Sequence, residues 1–165
     1  MSLSVELSKT QMAIITLLRA EDINKVKYSS IPGKTHLVKE LFAIQKTTLG
    51  QEILTELKFE PDNFGPFDET IYAALDSLAN VGYVKLDFSA KRRVNISLTP
   101  KGRILSDEIW GKVRDDIKSL FTYVKINYNH LSSEKLLEKI YSAYPEMAKF
   151  SKAKIANKYR PKESM

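Results

Sequence analysis

Residues 83–98 read YVKLDFSAKRRVNISL, and the prediction of the fold starts from them. Apolar side chains recur at every second position on each side of a short basic segment, at Val84, Leu86 and Phe88 before it and at Val94, Ile96 and Leu98 after it. A period of two residues is typical of a strand with one buried face. Two such runs joined by a few polar residues predict a β-hairpin with a basic tip.

Three segments before the hairpin have the period of helices instead. Their apolar residues recur every three or four positions, so each segment has one apolar face. This pattern predicts helices over about 9–20, 34–47 and 69–81.

Polar residues mark where these helices begin. Ser8 and Gln11 have the spacing of a capping box, in which each side chain satisfies a free backbone group of the other residue. Asp68 is expected to cap the third helix, and either Thr35 or Ser30 can cap the second.

The segment between the second and third predicted helices is longer than an ordinary turn. Residues 51–58 predict a short helix or an irregular segment. The stretch FEPDNFGPF, residues 59–67, contains two prolines and a glycine and predicts a loop. Residues 49–67 therefore form an insertion in the basic pattern.

A helix is also predicted directly after the hairpin. Thr99 and Pro100 have the residue types of an N-cap and a first helical position. The helix should cover about 101–127, and the adjacent pair Asp115 and Asp116 marks a break within it.

The order of these elements predicts the fold class. Three helices, a hairpin and a further helix are the order of a winged helix-turn-helix domain, in which the hairpin is the wing. We expect a mainly α protein with a small β-hairpin (α+β), with this elaborated core over 1–100 and the wing at 83–98. Residues 101–148, with a final helix over about 133–143, either belong to the same compact domain or form a dimerisation element. Residues 149–165 form a basic tail.

The chain also resembles a prokaryotic winged-helix family, often called YwgA-like, and more remotely the Panacea domain of antitoxins. The resemblance runs from about residue 31 to 152, in blocks that read GKTHLVKELFAI, LKFEPDNFGPFDETIYAALDSLANVGYV and YNHLSSEKLLEKIYSAYPEMAKFS. The matching motifs are a Thr-x-Leu-x-Lys helix start at Thr35, Leu37 and Lys39, a Phe-Gly-Pro-Phe turn at 64–67, and a Tyr-Pro-Glu at 144–146. The resemblance implies a winged helix and suggests regulation of transcription or neutralisation of a toxin.

The amino-acid composition excludes several kinds of site. The 165 residues include no cysteine, which excludes disulfides, thiolate catalysis and cysteine-bound zinc. The two histidines, His36 and His130, lack the spacing of a metal site. The acids Asp62, Asp68 and Glu69 cluster in sequence, but capping and solvation explain them. We therefore predict a protein that is not an enzyme, with no catalytic residue, metal or cofactor.

The chain contains neither an apolar run long enough to cross a bilayer nor a basic-then-apolar start typical of a signal peptide. We therefore expect no membrane partner and a cytoplasmic location.

The tripeptide Gly33-Lys34-Thr35 resembles the end of a phosphate-binding loop. Such a loop needs a further glycine five positions earlier, where this chain has Tyr28, and it follows a buried apolar strand, which is missing here. Pro32 also removes a backbone donor next to the tripeptide. The tripeptide is therefore interpreted as the start of a helix.

Charge is distributed unevenly along the chain, which has a net charge of +6. We expect the basic side chains that contact nucleic-acid phosphates to be Lys34, Lys39, Lys91, Arg92 and Arg93. The third predicted helix opposes this interpretation, because the chain has no Lys or Arg between Lys58 and Lys85. Its outward residues should be Glu69, Ala73, Asp76 and Asn80, and the two acids among them would be repelled by DNA.

The long helix after the hairpin has a second apolar spacing. Val113, Ile117, Leu120 and Val124 are separated by 4, 3 and 4 positions, as in a coiled-coil seam. Such a seam either forms a homodimer or packs against the final helix of the same chain.

Two functions follow from these observations. The first is a winged-helix protein that binds double-stranded DNA, as a transcriptional regulator or an antitoxin-like factor. The alternative is a protein-interaction module that keeps the fold but binds a protein partner through the acidic helix 69–81.

Overall fold

The computed structural model describes residues 6–89 and 93–160. They form a mainly helical protein with two small antiparallel hairpins. The helices are α1 (Lys9–Arg19), α2 (Lys34–Gln45), α3 (Thr48–Ile53), α4 (Glu69–Asn80), α5 (Pro100–Lys112), α6 (Asp115–Tyr128) and α7 (Ser133–Ala143), and the strands are β1 (Glu60–Asp62), β2 (Gly65–Phe67), β3 (Val84–Asp87) and β4 (Asn95–Leu98). Two 3₁₀ turns, Pro145–Ala148 and Lys154–Lys158, follow α7.

The predicted hairpin is confirmed. Strands β3 and β4 pair antiparallel, with Val84 opposite Leu98 and Asp87 opposite Asn95. The alternation of apolar and polar residues corresponds to the burial of one face of the hairpin, since Val84 and Ile96 are buried while Lys85 is exposed. Its tip, residues 90–92, lies outside the described residues.

One more backbone pair joins the hairpin to the segment before α2. Ile31 and Ile96 exchange two hydrogen bonds, with N···O distances of 2.9 and 3.0 Å. Both side chains are fully buried. This bridge fixes the segment before α2 beside β4, so that β4 lies between that segment and β3.

The main hydrophobic core lies between α1, α4, α5 and the hairpin. Helix α1 inserts four fully buried aliphatic side chains, and α4 inserts Ile71, Leu75 and Leu78. The predicted caps hold these helices in place: Ser8 and Gln11 form the capping box, the Asp68 side chain accepts a bond from the amide of Thr70, and Thr99 caps α5.

A second, smaller core joins α7 to α2. Phe42 of α2 is fully buried, and its ring meets Phe59 and Tyr144 edge to face, with centroids 5.2 and 5.1 Å apart. Tyr141 of α7 and Met147 of the first 3₁₀ turn complete this core. The C-terminal segment therefore belongs to the same packed structure as the N-terminal helices.

Two local predictions about the region around α2 are wrong. The N-cap of α2 is Gly33, with φ +131°, and no side chain caps the helix, so neither Thr35 nor Ser30 has that role. The predicted loop 59–67 contains the hairpin of β1 and β2, in which the chain turns at Asn63 and Phe64 and enters β2 at Gly65 with φ +103°.

The predicted break in the long helix is confirmed, and it interrupts the proposed seam. Val113 ends α5 in an extended conformation, so it does not continue the helical spacing to Ile117 and Leu120 on α6. The predicted internal partner is also wrong, because α7 packs against α2 and the 3₁₀ turns, while α6 packs against α2 and α1.

Within residues 6–89 and 93–160, no helix combines the length and the apolar character needed to cross a membrane.

Candidate nucleic-acid interface

The basic edge of the protein lies where the β3–β4 hairpin meets the start of α2. Arg93 is exposed, and a β-carbon built on Gly33 would lie 3.6 Å from its Cγ. Lys34 follows Gly33 and places its Nζ 5.3 Å from the centre of the Tyr72 ring. Two of the predicted phosphate-binding cations, Lys34 and Arg93, therefore flank one short turn. The other two wing residues, Lys91 and Arg92, lie outside the described part of the chain.

Lys39 does not fit the predicted contact with DNA. Its side chain is only 3% exposed, because it lies on the face of α2 that β2 and α7 cover. A phosphate of a duplex cannot approach an ammonium group at that depth. This residue is therefore removed from the predicted nucleic-acid contacts.

The exposed face of α4 is acidic and polar, as predicted. Glu69, Ala73, Asp76 and Asn80 are all exposed, and no Lys or Arg lies in the helix. Asp68, at the start of the helix, is not available to a ligand, because its carboxylate accepts bonds from the backbone amides of Lys58 and Thr70. The α4 surface offers no cation for a phosphate or a guanine edge.

His36 is buried beside the basic edge. Its Nε2 lies 2.8 Å from the carbonyl oxygen of Leu131, so this nitrogen carries the proton of the neutral ring. Its Nδ1 has no partner among the described residues. The pKa of His36 is lowered to about 4, mainly by burial, with smaller contributions from the positive charges of Lys39 and Arg93 and against the opposing effect of the Leu131 carbonyl.

This histidine should make stability depend on pH. The unfolded chain takes up the proton near the ordinary pKa of 6.5, but the folded chain does so only near 4, so stability falls as the pH falls between these values. From pH 7 to pH 5, the wild type should lose about 2 kcal/mol more than His36→Gln. Urea unfolding at both pH values measures the difference.

The control for this prediction is His130→Gln, which changes an exposed histidine and should keep the wild-type dependence on pH. The raised pKa of Glu40 acts with the opposite sign, but it is present in all three proteins and cancels in the comparison. Parallel pH profiles for wild type and His36→Gln would contradict the assignment.

The sequence did not predict a pair of fully buried charged residues, Glu40 on α2 and Lys125 on α6. The Lys125 Nζ donates to the carbonyl oxygens of Leu18 and Ser29, at 2.9 and 2.8 Å. Burial lowers the pKa of Lys125 to about 8, although Glu40 and Asp22 act against that shift. Burial raises the pKa of Glu40 well above its usual range, and neither carboxyl oxygen of Glu40 has a partner among the described residues.

Lys125 has a structural role. Leu18 lies in the last turn of α1, where backbone carbonyls lack helical partners and carry partial negative charge. The ammonium of Lys125 satisfies that end of the helix and holds the segment that contains Ser29 against it.

The four residues of the predicted seam differ in burial. Val124 is 1% exposed and belongs to the main core, while Val113, Ile117 and Leu120 are partly buried against it. Val113 and Ile117 also line an apolar groove of about 210 Å³ between α1, α3, α5 and α6. A homodimer through this face stays a prediction.

Among the described residues, no group of three or more His, Asp or Glu side chains is arranged to hold a metal ion. No protein-family model matches this chain, and no curated protein matches it either. The relation to the YwgA-like family therefore stays a prediction from the quoted motifs.

Proposed function

We propose that the chain is an elaborated winged helix-turn-helix protein that binds double-stranded DNA through its hairpin edge. It would act in the cytoplasm as a transcriptional regulator or an antitoxin-like factor, without catalysis. The order of α1, α2, α4, the β3–β4 hairpin and α5 supports the fold. The Ile31–Ile96 bridge adds a third extended segment beside the hairpin, between α1 and α2, as in winged helices.

The observation that carries the DNA-binding proposal is the position of Arg93 beside Gly33. It brings the base of the wing and the first residue of α2 to the same edge, so that Lys34 and Arg93 can contact phosphates of one backbone strand. Such contacts give affinity but read no sequence directly. The acidic face of α4 predicts that sequence is not read by this helix in the major groove.

Replacing Lys91, Arg92 and Arg93 together by alanine should weaken binding to every DNA sequence about equally. Each lost phosphate contact removes the release of about 0.9 counterion, so the slope of log affinity against log salt should decrease by about 2 to 3. Fluorescence anisotropy with generic duplex DNA across a salt series measures both quantities. A control is Lys112→Ala, which removes an exposed cation at the C-terminal end of α5.

An unchanged salt slope in the triple variant would contradict a role of the wing in DNA binding. A wild-type protein without measurable DNA affinity at low salt would reject the DNA-binding proposal as a whole.

The exposed face of α4 favours a second candidate function, a protein-interaction module. This face carries Glu69 and Asp76 and no cation, so it suits a basic protein surface better than a nucleic acid. The substitution Asp76→Lys separates the two functions. It should strengthen non-specific DNA binding if α4 faces a duplex, and leave it unchanged if α4 faces a protein.

A further inference from the structure

Helix α2 contains a buried lysine with no counter-charge. The Lys39 side chain is 3% exposed, and among residues 6–89 and 93–160 its ammonium forms neither a hydrogen bond nor an ion pair. Burial is the one cause that lowers its pKa, to about 8, and no neighbouring carboxylate acts against it. Lys39 lines two cavities, and an ammonium that has lost most of its solvent gains from pairing with an anion that enters them.

Two cavities meet at this lysine. One has a volume of about 140 Å³ and lies between α2 and the turn of the β1–β2 hairpin. The other has a volume of about 410 Å³ and lies between α2, α7 and the segment that leads into the last 3₁₀ turn. Thr35, Lys39 and Phe64 line both. Lys39 therefore lies at the junction of one branched site, large enough for a small organic molecule.

Glycine at position 65 keeps this junction open. A β-carbon there would lie 3.4 Å from Cε of Lys39 and 3.0 Å from Cδ1 of Leu137. The Phe-Gly-Pro-Phe turn thus brings its backbone close to Lys39. Phe64, in the same turn, is 56% exposed and lines both cavities.

The larger cavity has both polar and apolar lining residues. Thr35 and Lys39 line it from α2, and Ser133 lines it from the start of α7. The apolar walls are Phe64, Leu137, Ala153 and Ile155.

The other charged groups that line the two cavities are exposed. Lys154 and Glu134 line the larger cavity, are both exposed and oppose one another in charge. Asp62 lines the smaller cavity and is also exposed. The remaining buried charge is the single positive charge of Lys39.

We propose that this cavity binds a small organic monocarboxylate, with its carboxylate on the Lys39 ammonium and the Thr35 hydroxyl and its apolar body against Phe64, Leu137 and Ile155. A single buried cation matches a single negative charge, whereas a phosphate dianion is usually held by more donors, often arginine. The apolar walls match an aromatic ring or a short aliphatic chain. The ammonium is too deep for a macromolecular phosphate, so this site is independent of the proposed DNA interface.

The test compares a carboxylate with its neutral isostere. Benzoate and benzamide have the same ring and nearly the same shape, and they differ in the charge that Lys39 would pair with. Isothermal titration calorimetry of the full chain should show benzoate binding about 10- to 100-fold more tightly than benzamide, as expected for a charge-assisted contact. Amide chemical shifts of Thr35, Gly65 and Leu137 should change with benzoate.

Lys39→Met keeps the length of the apolar stem and removes the charge, so it should fold and should abolish the preference for benzoate. Lys112→Met, an exposed lysine that lines neither cavity, should keep the wild-type preference. Thr35→Val changes an exposed position and provides a second variant; it should weaken benzoate binding and leave benzamide unchanged.

Several results would overturn the proposal. Equal affinities of the wild type for benzoate and benzamide would do so, and so would shift changes confined to other parts of the chain. Inorganic phosphate that binds more tightly than benzoate would reject the carboxylate class. Because these three measurements use the wild type, they decide the proposal even if Lys39→Met does not fold.

Discussion

Gly102→Ala is expected to destabilise the protein by about 3 kcal/mol or more, because α5 touches the backbone of the hairpin at this position. A β-carbon on Gly102 would lie 1.9 Å from the carbonyl oxygen of Tyr83. That oxygen is held in place, since it accepts bonds from the backbone amide and the hydroxyl of Thr99, at 3.1 and 3.2 Å. Urea unfolding followed by circular dichroism measures the loss.

The same helix supplies a matched control for this substitution. A β-carbon on Gly111 would meet no atom within 4 Å, so Gly111→Ala gains helix propensity without a clash and should stabilise by up to about 1 kcal/mol. Effects of opposite sign from one substitution in one helix would establish the contact between α5 and the hairpin. A Gly102→Ala variant as stable as Gly111→Ala would show that α5 does not contact the hairpin backbone at Gly102.

Lys125→Met should destabilise the protein by about 3 to 5 kcal/mol. The substitution keeps the apolar stem but removes both hydrogen bonds of the ammonium, and it leaves the carbonyl oxygens of Leu18 and Ser29 without these donors. It also removes the positive charge nearest to the buried Glu40. Urea unfolding at pH 7 measures the loss.

Lys118→Met is the control on α6. Lys118 has only an ion pair with the exposed Asp115, at 3.7 Å, so its loss should change stability by less than about 0.5 kcal/mol. The double variant Glu40→Met with Lys125→Met should recover part of the loss, because an apolar pair needs neither a counter-charge nor a partner. A Lys125→Met protein within about 1 kcal/mol of the wild type would contradict the structural role of this lysine.

Local signals in the sequence predicted much of the fold. The alternation on either side of the basic segment predicted the β3–β4 hairpin, and the capping residues Ser8, Asp68 and Thr99 gave three helix starts. These signals succeed because a cap or an alternation acts through residues a few positions apart. The range predicted for the final helix, 133–143, is that of α7.

The remaining features depend on contacts between distant segments. Lys39 was predicted to contact nucleic-acid phosphates, and α2 was predicted to have one apolar face. In the structure, every residue of α2 from His36 to Ile44 is buried, since α1, α6, α7 and β2 surround the helix. One indication was present in the sequence, because the apolar residues of α2 occupy more than one face, which is typical of a helix enclosed by others; they are Leu37, Val38, Leu41, Phe42 and Ile44.

The branched cavity could not be predicted for the same reason. Its walls come from α2, the β1–β2 hairpin and the segment that contains Ala153, which are far apart in sequence. Residues 59–67 were predicted to be a loop, and the hairpin that they form places Gly65 next to Lys39. No periodicity or motif within a single segment indicates that these three segments come together.

The bridge between Ile31 and Ile96 also has a consequence for the order of folding. The two residues are 65 positions apart, and the chain between them contains α2, α3, the first hairpin and α4. Closing a loop of that length costs entropy that two hydrogen bonds alone do not recover, so we expect the bridge to form after those elements have condensed. The β3–β4 hairpin, whose strands are close in sequence, can form early and provides the edge on which the segment before α2 docks last. The basic edge around Arg93 and Lys34 is therefore assembled late, as a product of tertiary folding.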